Sequence, residues 1–321
     1  MNLKSIADHF SDADSARQFL ESQRWPDGPV CPFCGLIGEA YRLKAKPGSK
    51  TPVRPGVWKC SGCRKQFTVT VGTIFEDSHI PLNTWLMAIH LICASKKGMS
   101  AHQLHRMLGV TYKSAWFMVH RLRYAMTHDL AFVPLTGTVE VDEAYIGGKQ
   151  KSGSHSRKAG VQRDTDFLSS TKNKQTVVSL VERGGNVRSV HVRRVTAANL
   201  RPIVNETVAP NAVIMTDTGT VMRGTFMGRK HYQVNHRNKE FVRHERGAKI
   251  TTNTVEGFFS LLKRGIEGIY HHVGEQHLHR YLSEFDFRYN HRRITDGQRS
   301  IALIRRIHGK RLMYKDTRKS S

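Results

Sequence analysis

The apolar positions change period along the chain, and the changes mark its parts. Ile6, Phe10, Ala16, Phe19 and Leu20 recur at roughly helical spacing and Trp25-Pro26 closes the run, so residues 1–25 read as an N-terminal helix. Residues 26–76 carry short alternating runs among many Gly and Pro, with Phe67, Val69 and Val71 on one face of a strand. Residues 80–130 are amphipathic at helical period. Within them, 100–108, Gly109 and 114–122 read as helix, glycine turn, helix, with Leu104, Leu108, Val110, Ala115, Val119 and Leu122 facing a shared core. From 137 to 270 strand signals alternate with helical ones, an α/β pattern, and 275–308 return to helix. A Gly-, Ser- and Lys-rich stretch at 147–174 interrupts that pattern and reads as a basic loop after its first strand. The expected architecture is multidomain α+β.

Length and composition bound this picture. A chain of 321 residues suggests about two or three domains. With 39% apolar residues a core can form, which excludes collagen-like and wholly disordered readings. Charge changes the picture more. Lys and Arg number 51 against 26 Asp and Glu, a net +25, and such an excess calls for a polyanion, usually nucleic acid. Binding through about 6–10 phosphate contacts would weaken steeply with salt. The helix-turn-helix pattern then reads as a DNA reader, with Tyr112, Lys113, Trp116 and Arg121 facing the duplex; the alternative is an ordinary helical pair in a core. The segment 292–321 is also basic: from His291 onward there are ten Lys or Arg and two Asp, as in a solvated or phosphate-contacting arm.

A membrane partner is not expected. The longest apolar stretch, 85–93, is far shorter than the roughly 20 residues of a span and contains His90. The N-terminus lacks a signal-peptide hydrophobic region, so the expected location is the bacterial cytoplasm, associated with the nucleoid.

In that compartment paired cysteines read as metal ligands before disulfides. Cys31-Pro-Phe-Cys34 and Cys60-Ser-Gly-Cys63 form two knuckles 25 residues apart. Two such knuckles complete a tetrahedron around Zn²⁺, so 26–76 reads as a zinc ribbon. Four protein ligands close the shell, which makes the zinc structural. Cys93, inside an apolar helical run, reads as a buried thiol and not a fifth ligand.

The acids supply a second chemistry. Thr138-Val-Glu-Val-Asp142 begins as an alternating strand, and Ala212-Val-Ile-Met-Thr-Asp217 is an apolar run ending in Asp. Two strands ending in aspartates can hold both carboxylates at one sheet edge, where hard oxygens suit Mg²⁺ or Mn²⁺. Each Asp alone could equally be a turn or a helix N-cap. A helix signal over 251–264 places Asn253, Glu256 and Lys263 on one stripe. The local alternative is a capping box with Asn253 as N-cap and Glu256 as its partner.

Taken together, the ribbon, the Asp142 and Asp217 strands and Asn253-Thr-Val-Glu-Gly-Phe-Phe-Ser-Leu-Leu-Lys263 resemble bacterial insertion-sequence transposases of the DDE superfamily. Narrowly, they resemble the group with an N-terminal zinc ribbon and an Asp-Asp-Asn/Glu site. Val141-Asp-Glu-Ala-Tyr-Ile-Gly-Gly148, Val234-Asn235-His236 and Glu284-Phe-Asp-Phe-Arg-Tyr-Asn-His291 carry the same resemblance, which runs from about Phe19 to Arg293. It implies an RNase H-like catalytic domain, here 137–291, with a mixed sheet flanked by helices. It implies two catalytic Mg²⁺ or Mn²⁺ ions on Asp142, Asp217 and either Asn253 or Glu256, with Lys263 and Arg264 next to DNA. It implies cleavage at transposon ends, strand transfer into target DNA, recognition of terminal inverted repeats, and a homo-oligomer on DNA. Two rival functions remain: a zinc-ribbon and helix-turn-helix regulator without chemistry, and an RNase H-like nuclease that cuts without joining.

Overall fold

The computed structural model describes residues 8, 10–44, 52–127, 133–147, 174–219, 224–226, 228–245 and 247–317. The chain divides into two units, residues 1–127 with 291–320, and residues 128–290. The basic stretch at 148–173 and the ribbon loop at 45–51 lie outside the described residues.

In the first unit, helix α1 (Ala13–Arg24) starts on Asp12, whose Oδ1 accepts the Asp14 and Ser15 N–H groups at 2.7 and 2.8 Å. The ribbon follows as three antiparallel strands in order: β1 (Ala40–Arg42), β2 (Trp58–Cys60) and β3 (Gln66–Phe67). β3 is shorter than the alternation of Phe67, Val69 and Val71 suggests. After Phe67 the chain turns, with the Val71 N–H on the Thr68 carbonyl at 3.1 Å, and the Arg24 guanidinium holds the Val69 and Val71 carbonyls. Val69 is still buried, so the apolar pattern reports burial and not strand.

Three helices come next. α2 (Leu82–Ala94) buries eight residues, including Trp85, Ile89 and Cys93, which accounts for its nearly continuous apolar run. α3 (Ala101–Leu108) starts on the Ser100 hydroxyl and stops at Gly109, whose φ of 65° lies in the left-handed region that favours glycine. α4 (Tyr112–Ala125) starts on Thr111 Oγ1, which accepts the Ser114 N–H at 3.2 Å. Leu104, Ala115, Val119 and Leu122 are buried and Leu108 and Val110 half-buried, so the helix, glycine turn, helix order is as the spacing predicts, while two of the six expected core residues are only partly covered.

Two basic expectations fail in this unit. Arg121 does not face solvent. It is 6% exposed, and its guanidinium donates to the carbonyls of Ile74 (2.8 Å), Glu76 (3.0 Å) and Leu312 (3.2 Å). Its helical position points inward, where it satisfies three carbonyls that no strand or helix serves. Arg121→Met should therefore lower stability by about 2–4 kcal/mol, since buried acceptors lose charged donors, and urea unfolding measures this. Lys113→Ala, at an exposed position near the Tyr314 ring, should leave the urea midpoint unchanged.

The segment after His291 is likewise no simple arm. It contains α8 (Asp296–Ile304), opened by a Thr295/Gln298 capping box, and it buries Leu303, Ile304, Ile307 and Leu312. Its cations meet helix C-termini. Arg299 Nη1 donates to the Cys93 carbonyl at the end of α2 (2.6 Å), and Lys310 Nζ donates to Ala125 and Thr127 after α4 (3.1 and 3.0 Å).

The second unit is built on a five-stranded mixed sheet in the order β6-β5-β4-β7-β8. β4 (Thr138–Ile146), β5 (Gln175–Glu182) and β6 (Val187–Val192) pair antiparallel; β7 (Val213–Asp217) and β8 (His231–Val234) continue parallel to β4. A short hairpin, β9 (Arg243–Glu245) and β10 (Ala248–Ile250), follows. One sheet face packs Val139, Val141, Val178 and Ile214 against Leu200 and Val204 of α5 (Ala197–Thr207). The other packs Ala144, Val177 and Val181 against α6 (Asn253–Gly265) and α7 (Glu275–Asn290) through Val255, Phe258, Leu262, Leu282 and Phe285. A mixed five-stranded sheet with helices on both faces is compatible with the expected RNase H-like domain. Among the described residues no helix is long and apolar enough to cross a membrane.

Candidate active site and zinc centre

The sheet register brings the two aspartates together. Glu140 of β4 lies opposite Met215 of β7 in a parallel ladder. Two residues further along both strands stand Asp142 and Asp217, on the same face because side chains alternate. Asp217 ends β7 as expected. Asp142 does not end its strand: β4 continues to Ile146 on the β5 side, and only the β7 side opens there. That opening, at the carboxyl ends of the parallel strands, is where the acids gather.

Burial pushes Asp142 up to about 7, against the pull of the Glu143 N–H, and the charges of Glu143, Asp217 and Glu256 add to the rise. Glu143 is also raised, by burial and by Asp217. Asp142, Asp217 and Glu256 therefore share one field although they come from two strands and a helix. Asp142 Oδ1 accepts the Glu143 N–H at 2.8 Å, and Asp217 Oδ1 accepts the Gly219 N–H at 3.0 Å, so one oxygen on each is oriented by backbone.

Helix α6 does not form the capping box that is the local alternative for Asn253 and Glu256. Thr252 is the N-cap residue, with no side-chain cap; Asn253 opens the helix and Glu256 lies a turn in. Asn253, Glu256 and Lys263 are all exposed, along the stripe that their spacing predicts. Glu256 Oε1 accepts from Thr252 Oγ1 at 2.8 Å and lies 3.2 Å from His236 Nε2. Lys263 lines a cleft with Tyr145, Gln175, Glu267, His271 and His272. Arg264 is exposed, and its Nε donates to the Ser260 carbonyl. Lys113 is exposed at the start of α4, in the other unit.

The acids fit hard divalent cations in kind: they are carboxylate oxygens, and Asp142 and Glu143 are raised by burial and by neighbouring negative charge, which a cation among them would offset. They do not converge on a closed cage. Among the described residues, the four cysteines are the one group of three or more potential ligands whose donor atoms all lie within 4.8 Å of one another.

That group has the arrangement of a zinc site. Cys31 Sγ lies 3.6 Å from Cys63 Sγ, and Cys34 Sγ lies 3.6 Å from Cys60 Sγ, so each close pair spans the two knuckles. Sulfurs at the corners of a tetrahedron with bonds of ~2.3 Å stand roughly 3.8 Å apart, so the quartet fits a structural zinc ion. Gly35, with φ of 78°, makes the first knuckle's turn. Cys93 is buried in α2 and is not part of the group.

Three site residues escape a reading by motif. Glu143 follows Asp142 directly, and a second acid after the first was its only signal. His236 belongs to Val234-Asn235-His236, a motif noticed without a role. Glu140 sits two residues before Asp142, at a polar position of an alternating strand, so nothing in the pattern marks it as buried.

Two family models match the chain. Residues 134–290 match the ISXO2-like transposase domain, and residues 11–66 match the transposase zinc-ribbon domain. An uncharacterized protein in transposable element ISH50 of Halobacterium salinarum is 24% identical over 293 residues, covering 85% of this chain and 89% of the relative.

Proposed function

The chain belongs to the IS1595-type DDE transposases that carry a zinc ribbon, and from that premise we propose that it cuts DNA at transposon ends and joins them to target DNA. The observation that carries the reading is the shared field of Asp142, Asp217 and Glu256 at the open edge of the sheet. Asp142 and Asp217 hold divalent cations, and Glu256 is the third ligand, because its charge reaches Asp142 whereas Asn253 offers only a neutral oxygen. Bound Mg²⁺ or Mn²⁺ ions supply activation of the attacking oxygen and stabilisation of the leaving one. Lys263 and Arg264 present their charges to the phosphates on either side of the cut.

Two displacements follow. A water oxygen bonds to phosphorus at the transposon end, the P–O3′ bond breaks, and a 3′-OH leaves with the transposon strand. That 3′-OH then attacks a target phosphodiester, forming a new P–O bond and releasing a target 3′-OH. Phosphoryl transfer of this kind depends on positioning and charge stabilisation. The ribbon and the α3–α4 pair bind the terminal inverted repeats, with Lys113 on phosphate. Two ends require at least two active sites, hence a homo-oligomer on DNA, acting at the bacterial nucleoid.

The test incubates the protein with labelled element ends, a target plasmid and Mg²⁺ or Mn²⁺. Joined product supports the transposase. Cutting without joining favours the nuclease, and salt-sensitive binding without cutting favours the regulator. Within the same assay, Glu256→Gln should slow cleavage by about 10²-fold or more and Asn253→Ala by less than about tenfold. The reverse order would make Asn253 the third ligand.

A further inference from the structure

Glu140 is wholly buried on β4. Its carboxylate accepts four hydrogen bonds: from Arg183 Nε (2.6 Å), the Thr254 N–H (2.7 Å), Thr254 Oγ1 (2.9 Å) and the Val255 N–H (3.0 Å). Arg183 reaches onward, to the Lys249 carbonyl (2.7 Å), the Thr251 carbonyl (2.9 Å) and Met215 Sδ (2.8 Å). The side chain of the N-cap residue Thr252 accepts no N–H of α6; Thr251 Oγ1 accepts the Asn253 N–H at 3.2 Å, and the next two N–H groups, of Thr254 and Val255, fall to Glu140. A carboxylate set against a helix N-terminus is favoured by the free N–H groups and the helix dipole.

The connectivity is specific. Glu140 stands two residues before Asp142, and Met215 stands two residues before Asp217, directly across the ladder from Glu140. Thr254 and Val255 lie between Asn253 and Glu256. One ion pair, its carboxylate wholly buried and its guanidinium half-buried, thus ties both aspartate strands to the helix that carries Glu256. Packing of Val255 and Phe258 would seat the helix on the sheet without it, and a buried carboxylate is a demanding way to do so.

We propose that Glu140 and Arg183 are positioning residues, which fix the start of α6, and so Glu256, relative to the strands that carry Asp142 and Asp217. The proposal rests on the metal-dependent reading above. It assigns no contact with substrate or cation to either residue.

The experiment measures Mn²⁺ affinity of the full-length chain by calorimetry and by electron paramagnetic resonance, beside thermal unfolding. Groups that orient metal ligands typically alter affinity by about 10–100-fold. Glu140→Gln should weaken Mn²⁺ binding by that factor and raise by the same factor the Mn²⁺ concentration that gives half-maximal cleavage. It also leaves the half-buried Arg183 without its carboxylate and lowers the melting temperature. Glu140→Gln with Arg183→Met removes the stranded charge, so the melting temperature should recover while Mn²⁺ affinity stays weak. If affinity recovers together with the melting temperature, or is wild-type in both folded variants, the pair is merely structural and the proposal is overturned. A wild-type chain that binds no Mn²⁺ overturns the metal reading itself, and the positioning role with it.

Discussion

Asp142→Asn should reduce metal-dependent cleavage by on the order of 10³-fold or more while leaving DNA-end binding within about twofold of wild type. The cause is local. Asp142 is the acid whose field includes Glu143, Asp217 and Glu256 together, so its loss removes the centre of the cation site. In the proposed function, end binding rests on other surfaces, and Lys113, one of them, lies in a separate unit.

The same substitution has an opposite effect on stability. Asp142 is held at about 7 in the folded chain against an ordinary value of 3.8. A raised carboxyl contributes stability that is complete below about pH 4 and is lost as pH rises through about 7. Without added Mg²⁺ or Mn²⁺, the wild-type chain should therefore weaken between those pH values. Asn does not titrate, so the variant should be more stable than wild type at pH 8, by on the order of 2–4 kcal/mol, and equal to it near pH 4. Melting curves at the two pH values check this. A variant that melts lower than wild type at pH 8 would mean that Asp142 is satisfied by protein groups and is not held ready for a cation.

Loss of zinc should have the second large effect. Cys60→Ser should unfold the ribbon, because zinc binding contributes on the order of 10 kcal/mol and three strands of two or three residues cannot replace it. Trp25 packs edge-on against Trp58 and Phe67, at 6.1 and 5.7 Å between ring centres, so their separation should shift tryptophan emission to the red. Bound zinc should fall from one ion per chain to none, and end binding should weaken by at least about 10²-fold through lost phosphate contacts. Cys93→Ser is the control and should retain one zinc per chain, since Cys93 is buried in α2 away from the quartet. Retained emission and end binding in Cys60→Ser would show that the ribbon folds without its metal.

Much of this architecture is legible in the residues. The CxxC pairs announce the zinc centre because ligand spacing is local. The helix start at Ser100 and the turn at Gly109 are legible because such signals are local too, whereas the second helix begins at Tyr112, two residues before its expected start. Asp142 and Asp217 are visible as acids on strands, but their adjacency depends on a β4–β7 register that no local pattern encodes. For the same reason Asn253 and Glu256 resemble a capping box when read along the helix alone. The group that caps α6 is Glu140, 114 residues before Thr254 in the chain. Arg121 misleads in a related way: its basic charge suggests DNA, whereas three distant carbonyls claim it. The tail repeats the lesson, because Arg299 and Lys310 serve helix ends that lie far from them in the chain.

The central claim is that Asp142, Asp217 and Glu256 hold divalent cations against the scissile phosphate. The most direct measurement replaces the oxygen that leaves with the transposon 3′ end by sulfur and compares cleavage in Mg²⁺ and Mn²⁺. Mg²⁺ binds sulfur poorly and Mn²⁺ accepts it, so cleavage should be slow in Mg²⁺ and substantially restored in Mn²⁺, with neither metal supporting cleavage by Asp217→Asn. Equal rates in the two metals on the sulfur substrate, or cleavage that survives in the Asp217 variant, would contradict the account.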